Sequence, residues 1–137
     1  MKAIIDVSSL LMMIKYLKEK DLLNKLKDIA TLDLAFYEVG NGFWKWVSLM
    51  KIISKDEAEV LIKTLIRILL TNDFTMISWK DLNHLAILNL AIENNITFYD
   101  ASYIIASATF KKIFVTEDEK LKRIATRYVQ VLSWRDI

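Results

Sequence analysis

Lys2-Ala3-Ile4-Ile5-Asp6 is an apolar stretch that ends in an acidic residue, and Val7-Ser8-Ser9 and a helical pattern follow it at once. The stretch predicts a buried strand that leads directly into a helix, which is half of a β-α-β unit. Ser8 or Ser9 is the expected cap of that helix. Parallel sheets bind their ligands beyond the carboxyl ends of the strands. Asp6 is therefore the first candidate for a functional residue.

The remainder of the chain alternates between strand and helix patterns. Further strands are predicted at residues 31–35, 74–78, 111–116 and 129–133, and further helices at residues 22–29, 36–47, 54–70, 79–94, 97–108 and 120–126. Ser54 and Ser78 are the expected caps of two of these helices. Apolar, β-branched strands separated by helices indicate an α/β fold of three layers, with a central parallel sheet of about five strands.

Composition limits the classes of protein that the chain can belong to. Its 137 residues are 54% hydrophobic, which suits one globular domain over residues 1–137. The net charge of +2 does not by itself indicate a nucleic-acid-binding protein. The absence of cysteine excludes disulfides, zinc ribbons and thiol nucleophiles and favours a cytoplasmic location. No signal peptide or membrane-spanning segment is predicted.

Four carboxylates are predicted to lie at the same edge of the sheet. Asp6 ends the first strand, Asp118 follows the strand over residues 111–116, and Glu38 and Asp100 lie in the first turns of helices. Acidic side chains gathered in this way repel one another unless a divalent cation lies among them, and carboxylates with water are typical ligands of Mg²⁺ or Mn²⁺. Such a cluster suits the metal-assisted hydrolysis of a phosphodiester.

Ordinary helix capping is the alternative explanation for three of these acids. Glu38 and Asp100 would suit the first turn of any helix, and Asp118 would suit a plain N-cap. Asp6 is harder to explain in this way, because it completes an apolar strand and has no capping role except toward the next helix. The residues alone leave both explanations open.

Four short motifs together resemble those of the PIN domain family, especially the small VapC-type toxins. In chain order they are Asp6-Val7-Ser8, Tyr37-Glu38-Val39-Gly40-Asn41, Tyr99-Asp100-Ala101-Ser102-Tyr103 and Val115-Thr116-Glu117-Asp118-Glu119-Lys120-Leu121. Each motif is weak alone, but four in order at suitable spacing form a fairly specific signal. The resemblance spans the chain from the first strand to the last.

The resemblance implies a fold, a site and a set of partners. The sheet order would be 3-2-1-4-5, and Asp6, Glu38, Asp100 and Asp118 would bind Mg²⁺ or Mn²⁺ directly or through water. Ser8, Asn41 and Thr116 would be the polar residues that orient these acids. Proteins of this kind are similar to endoribonucleases that cut single-stranded RNA with metal-activated water, pair with a small antitoxin protein and form homodimers.

Residues outside the motifs have weaker interpretations. Cations are available to hold RNA phosphates, although an ordinary solvated surface is the favoured explanation for them: Lys15, Lys45, Lys80, Lys122, Arg123 and Arg127. Trp44 and Trp46 could stack on bases, although packing against the core or a partner is favoured. His84 is interpreted as structural, and Glu117 and Glu119 could tune the neighbouring Asp118.

The sequence fits alternative functions to different degrees. A phospho-accepting receiver module would need an acidic pair after the first strand and a lysine after the last, and the chain has Asp6 alone and then Trp134-Arg135. A PIN-like domain that only binds proteins remains compatible with the sequence. So does an RNA-processing nuclease of the same fold, although its usual zinc-binding appendage would require cysteines.

Overall fold

The sheet has the predicted order and direction. In a computed structural model that describes residues 1–71 and 73–137, five strands pair in parallel in the order β3-β2-β1-β4-β5. The strands are β1 (Ala3–Ile5), β2 (Ile29–Leu32), β3 (Phe74–Ile77), β4 (Ile113–Val115) and β5 (Val131–Leu132). Because all five strands run the same way, their carboxyl ends lie at one edge of the sheet.

Helices cover both faces of the sheet, as the alternating pattern predicts. Within the described residues they are α1 (Val7–Tyr16), α2 (Glu19–Lys25), α3 (Ala35–Ser48), α4 (Lys55–Leu69), α5 (His84–Asn94), α6 (Phe98–Phe110) and α7 (Glu119–Ala125). Single 3₁₀ turns follow β3 and β5. Among residues 1–71 and 73–137, no helix is both long and apolar enough to cross a membrane.

The side chains of β1 divide the core into two parts. Ala3 and Ile5 pack on the face that is covered by α1 to α4, whereas Ile4 packs on the face that is covered by α5 to α7. All three are fully buried. This alternation follows from the period of two in a strand, and it makes β1 the centre of a three-layer α/β fold.

Several predicted boundaries were wrong by a few residues. The second helix was expected to reach Ile29 but ends at Lys25, since Asp28 takes a left-handed backbone conformation with φ 59° and Ile29 already belongs to β2. Ser78 caps only a 3₁₀ turn, and the side chain of Asn83 caps α5 instead. By contrast, the capping box of Ser54 and Glu57 at the start of α4 is confirmed.

Helix α6 packs against β1 and β4. Six of its residues are buried, among them Tyr103 and Ile104. Its first turn is fixed by the side chain of Thr97, which accepts a hydrogen bond from the Asp100 amide at 3.0 Å. Asp100 therefore has a defined place near the edge of the sheet where β1 and β4 end.

Candidate functional site

Asp6 is buried at the carboxyl end of β1 and both its oxygens accept hydrogen bonds. Oδ1 accepts from Ser8 Oγ at 2.7 Å and from the Ser9 amide at 3.0 Å, and Oδ2 accepts from Thr116 Oγ1 at 2.5 Å. Asp6 itself is thus the N-cap of α1. The expectation that Ser8 or Ser9 caps this helix was wrong, because the helix begins at Val7, two or three residues earlier than a serine cap would place it.

The environment of Asp6 disfavours its charge. The pKa of Asp6 is raised to about 6, chiefly by burial, which leaves 4% of the residue exposed, and to a smaller extent by the negative charge of Asp100. The hydrogen bonds from Thr116, Ser8 and Ser9 act in the opposite direction without cancelling the burial. A carboxylate held in this way gains stability when a cation approaches it.

Glu38 reaches the same edge from the first turn of α3. Tyr103, on α6, donates a hydrogen bond from its hydroxyl to Glu38 Oε1 at 3.0 Å. The pKa of Glu38 is raised to about 7, chiefly by partial burial and also by the charges of Asp100 and Asp6, although the Tyr103 hydrogen bond acts in the opposite direction. Tyr103 is the last residue of the motif that contains Asp100, but the sequence predicted no role for it. Its position one helical turn after Asp100 is the signal that could have identified it.

Asp100 and Asp118 complete the set of acids. Burial and the charge of Asp118 raise the pKa of Asp100 above its ordinary value. Asp118 is exposed and caps α7, since its Oδ1 accepts from the Leu121 amide at 2.9 Å. Its own amide donates to Thr116 Oγ1 at 3.2 Å. Asp118 can therefore cap α7 and also belong to the acidic group, just as Asp6 caps α1 and belongs to that group.

The polar residues predicted to support the acids have different surroundings. Ser8 and Thr116 both bond to Asp6, and their hydroxyl oxygens lie 3.3 Å apart. Ser8 also accepts from the Glu117 amide at 2.9 Å, which ties β1 to the segment after β4. Asn41 is exposed on α3 and lines a cleft with Glu38 and Lys45 instead of bonding to an acid within the described residues.

Glu117 has a structural role apart from the acidic group. Its Oε1 accepts from Ser133 Oγ at 2.7 Å and from the Trp134 amide at 2.8 Å. These bonds hold the 3₁₀ turn after β5 against the end of β4. The expected tuning of Asp118 by Glu117 therefore has no direct contact to support it in the described part of the chain.

The chemistry of the donor set fits a hard divalent cation. The group offers four carboxylates, and within residues 1–71 and 73–137 no Lys, Arg or His nitrogen lies within 4.0 Å of any of them. Carboxylate oxygens are the ligands that Mg²⁺ and Mn²⁺ prefer. No three acidic or histidine side chains of the described residues converge closely enough to form a closed metal-binding cluster. The arrangement is thus an open acidic edge.

Comparisons with known proteins agree with the fold. No family model matches the chain. Exonuclease VapC9 from Pyrobaculum aerophilum is 31% identical over 93 residues, which are 68% of this chain but only 64% of that relative. The crystal structure of PAE2754 from Pyrobaculum aerophilum has a TM-score of 0.75 and 25% identity, covering 95% of this chain and 83% of the other. The fold is PIN-like.

A second solved structure extends the likeness of the PIN-like fold. A toxin-antitoxin complex from Klebsiella pneumoniae matches with a TM-score of 0.59 over 97% of this chain and 98% of its own chain. At 13% identity this match concerns the fold alone. The predicted strand order, 3-2-1-4-5, is confirmed by the sheet itself, and the structural neighbours match the overall fold.

Proposed function

We propose that the chain is a metal-dependent endoribonuclease of the PIN domain family and the VapC-type toxin of a toxin-antitoxin pair. The observation that carries this proposal is the buried carboxylate of Asp6, which repels two other acids and has no cationic side chain within 4.0 Å in the described residues. Burying such a charge is costly unless something compensates it. A divalent cation supplied from solution is that compensation.

One relative and one structural neighbour suggest the activity and the partner of the proposal. The relative is named an exonuclease of the VapC type, and the neighbour, which resembles this chain in fold alone, is a toxin-antitoxin complex. The aligned segment spans only 64% of that relative. The nuclease activity in its name is therefore assigned to this chain as part of the proposal. The proposed partners are a single-stranded RNA substrate, an antitoxin protein and a second copy of the chain, in the cytoplasm.

Asp6, Glu38, Asp100 and Asp118 would hold Mg²⁺ or Mn²⁺. When bound, such an ion supplies an activated water molecule and neutralises charge on the phosphate. The chain's own contribution is to orient the ligands: Ser8 and Thr116 fix both oxygens of Asp6, and Tyr103 fixes Glu38. Preorganised ligands need no reordering when the substrate arrives.

Cations beside the acids would receive the RNA backbone. Lys45 lines the same cleft as Glu38, and the charge of Lys120 acts on Asp100. Both side chains are exposed. Their ammonium groups would offset the repulsion between the phosphates and the carboxylates, and binding would weaken as salt increases.

Cleavage of labelled single-stranded RNA tests the proposal. The purified chain is incubated with linear and with circular RNA in Mn²⁺ and in EDTA. Cleavage of both substrates in Mn²⁺ and of neither in EDTA is expected, because an endonuclease needs no free end. Cleavage of the linear RNA alone would indicate an exonuclease instead of an endonuclease.

Substitutions assign the residues in the same assay. Asp6→Asn and Asp118→Asn are expected to lower the rate at least a hundredfold, whereas Asp56→Asn, at an exposed acid in the first turn of α4, leaves it unchanged. Folded wild-type protein that cuts no RNA in Mn²⁺ would overturn the nuclease and favour a binding module. Equal rates in all three variants would overturn the assignment of the acids.

A further inference from the structure

A large cleft lies beside the acids at the carboxyl ends of β2 and β3. Its volume is about 620 Å³, within the range of small-molecule sites. The first turns of α3 and α6 form two of its walls, and the 3₁₀ turn after β3 forms a third. Its floor is aliphatic, and five aromatic side chains line it: Phe36, Tyr37, Trp79, Phe98 and Tyr99.

The position of the cleft connects it to the candidate site. Tyr37 directly precedes Glu38 in α3, and Tyr99 directly precedes Asp100 in α6. The same two helix ends thus present an acid to the sheet edge and an aromatic ring to the cleft. A ligand that contacts the acids would therefore place the adjoining part of its own structure beside the rings of Tyr37 and Tyr99.

Trp79 is held in place by its backbone while its ring stays exposed. Its amide donates to Asp33 Oδ2 at 3.1 Å, and its carbonyl accepts from His84 Nε2 at 2.6 Å. The residue is nevertheless 60% exposed, and the centroid of its ring lies 5.5 Å from that of the His84 imidazole. A fixed, exposed indole is a platform for a flat ligand, since little conformational entropy is lost on binding.

Asp33 is the charged group among the residues that line the cleft. The Trp79 amide donates to Oδ2 of Asp33 and not to Oδ1. Within the described residues, Oδ1 therefore has no hydrogen-bond donor. A carboxylate beside aromatic rings can accept N–H groups from the edge of a stacked base. Guanine offers two adjacent N–H donors on its Watson–Crick edge, whereas uracil offers one between two carbonyl oxygens that the carboxylate repels.

We propose that this cleft is a base-binding subsite that holds an unpaired nucleobase next to the cleaved phosphodiester and prefers guanine to uracil through Asp33. This inference rests on the proposed nuclease function and deepens it. Base stacking on aromatic side chains is the general means by which proteins hold single strands. The adjacency of the rings to the acids favours RNA over a protein segment as the occupant.

Fluorine NMR tests the subsite without any cleavage. The full chain is labelled with 5-fluorotryptophan, and the Trp79 resonance is assigned with Trp79→Phe. In EDTA, guanosine 5′-monophosphate is expected to shift this resonance, uridine 5′-monophosphate to need several-fold higher concentration, and ribose 5-phosphate to have no effect. In the Asp33→Asn variant, the two nucleotides are expected to shift the Trp79 resonance at similar concentrations.

Three results would overturn the subsite. In the first, no nucleotide shifts the Trp79 resonance. In the second, ribose 5-phosphate shifts it as much as the nucleotides do. The third is a resonance that shifts with protein concentration alone, which would assign the cleft to contacts between copies. If GMP moves the resonance in a protein that cuts no RNA, the subsite stands and the nuclease proposal fails.

Cleavage kinetics provide the converse test. Trp79→Leu is expected to raise KM roughly tenfold, whereas Trp44→Leu, at a similarly exposed residue that lines a different cleft, leaves KM unchanged. Equal KM values for the two variants of an active enzyme would keep the nuclease and overturn the subsite.

Discussion

Asp6 shows how one residue can have two roles that the sequence cannot separate. As an N-cap it needs only an oxygen that accepts from the Ser9 amide, and as a candidate ligand it needs a negative charge. The sequence predicted its place at the end of β1 because the strand pattern stops there. Its capping role depends on where α1 begins, and the shift of two residues from a cap at Ser8 to a cap at Asp6 is within the uncertainty of a helix boundary.

The two roles of Asp6 can be separated by Asp6→Asn. Asparagine caps helices about as well as aspartate, and it removes a charge that burial disfavours. We expect the metal-free variant to be as stable as wild type or more stable, by on the order of 1 kcal/mol. The increase in Tm on adding Mn²⁺ should be lost.

Thermal unfolding with EDTA and with Mn²⁺ measures both effects, and Asp56→Asn is the matched control. A variant that keeps the full Mn²⁺-dependent rise in Tm would contradict the proposed role of Asp6 as a ligand.

Tyr103 is expected to act as a positioning residue through Glu38. Tyr103→Phe keeps the buried ring, which is 1% exposed, and removes the hydroxyl that donates to Glu38. We expect kcat on RNA to fall about tenfold with KM unchanged, because the bound substrate would meet a less ordered carboxylate. Tyr16→Phe, at an exposed residue of α1, is the control. A parallel loss of kcat in both variants would point to a general effect of the hydroxyl groups instead.

At the scale of single elements, α3 is instructive because it contains both glycines of the chain. A Cβ at Gly42 would lie 2.8 Å from Leu11 Cδ1 of α1, whereas a Cβ at Gly40 would lie 3.8 Å from Ile62 Cδ1 of α4. The first distance requires Leu11 to move, and the second is an ordinary contact. The sequence predicted α3 in spite of its glycines but could not show which one allows the close approach of α1.

The two glycines should therefore respond differently to alanine. Gly40→Ala is expected to raise the free energy of unfolding by about 0.5–1 kcal/mol, because alanine favours the helix. Gly42→Ala is expected to lower it by about 1 kcal/mol, since overpacking against Leu11 exceeds the same helical gain. Urea denaturation of the two variants measures the difference. Equal stabilisation by both would show that Leu11 moves aside at no cost.

Element boundaries were the weakest part of the sequence-based description. The left-handed conformation of Asp28 ends the turn between α2 and β2, yet this conformation is uncommon for any residue except glycine, and the hydrophobic pattern does not indicate it. Similarly, Asn83 and Ser78 are both good capping residues, and only the backbone decides which begins α5. Hydrophobic periodicity predicted the elements themselves because burial determines it.

At the scale of the whole molecule, the fold followed from the alternation of strands and helices. The sheet order came from the resemblance of four motifs, since no local pattern specifies which strands are neighbours. The acids were predicted as a group because parallel strands bring their carboxyl ends together. The aromatic cleft was not predicted, because its walls come from segments that are distant in sequence. The role of the four acids as metal ligands stays a prediction.

The raised pKa values of Asp6 and Glu38 make global stability depend on pH. In the folded metal-free protein these pKa values are about 6 and about 7, above their values in the unfolded chain. The folded state therefore binds protons more tightly, and the stabilisation is complete below about pH 4 and is lost as the pH rises through 6 and 7. For Asp6 alone the effect is on the order of 2–3 kcal/mol.

Melting temperatures in EDTA should accordingly fall between pH 5 and pH 8, and saturating Mn²⁺ should reduce the fall. Asp6→Asn should flatten the curve near pH 6, and Asp56→Asn should not. A metal-free Tm that rises over this range would contradict the direction assigned to both carboxyl groups.

The cost of keeping a charge at the end of β1 has a consequence for reading related sequences. A lineage that no longer needs the proposed nuclease activity is released from that cost, and an asparagine at the position of Asp6 would keep the helix cap and gain stability. Such a change is a single nucleotide substitution. The residue at this position is therefore expected to distinguish relatives that have retained the chemistry from relatives that have kept only the scaffold.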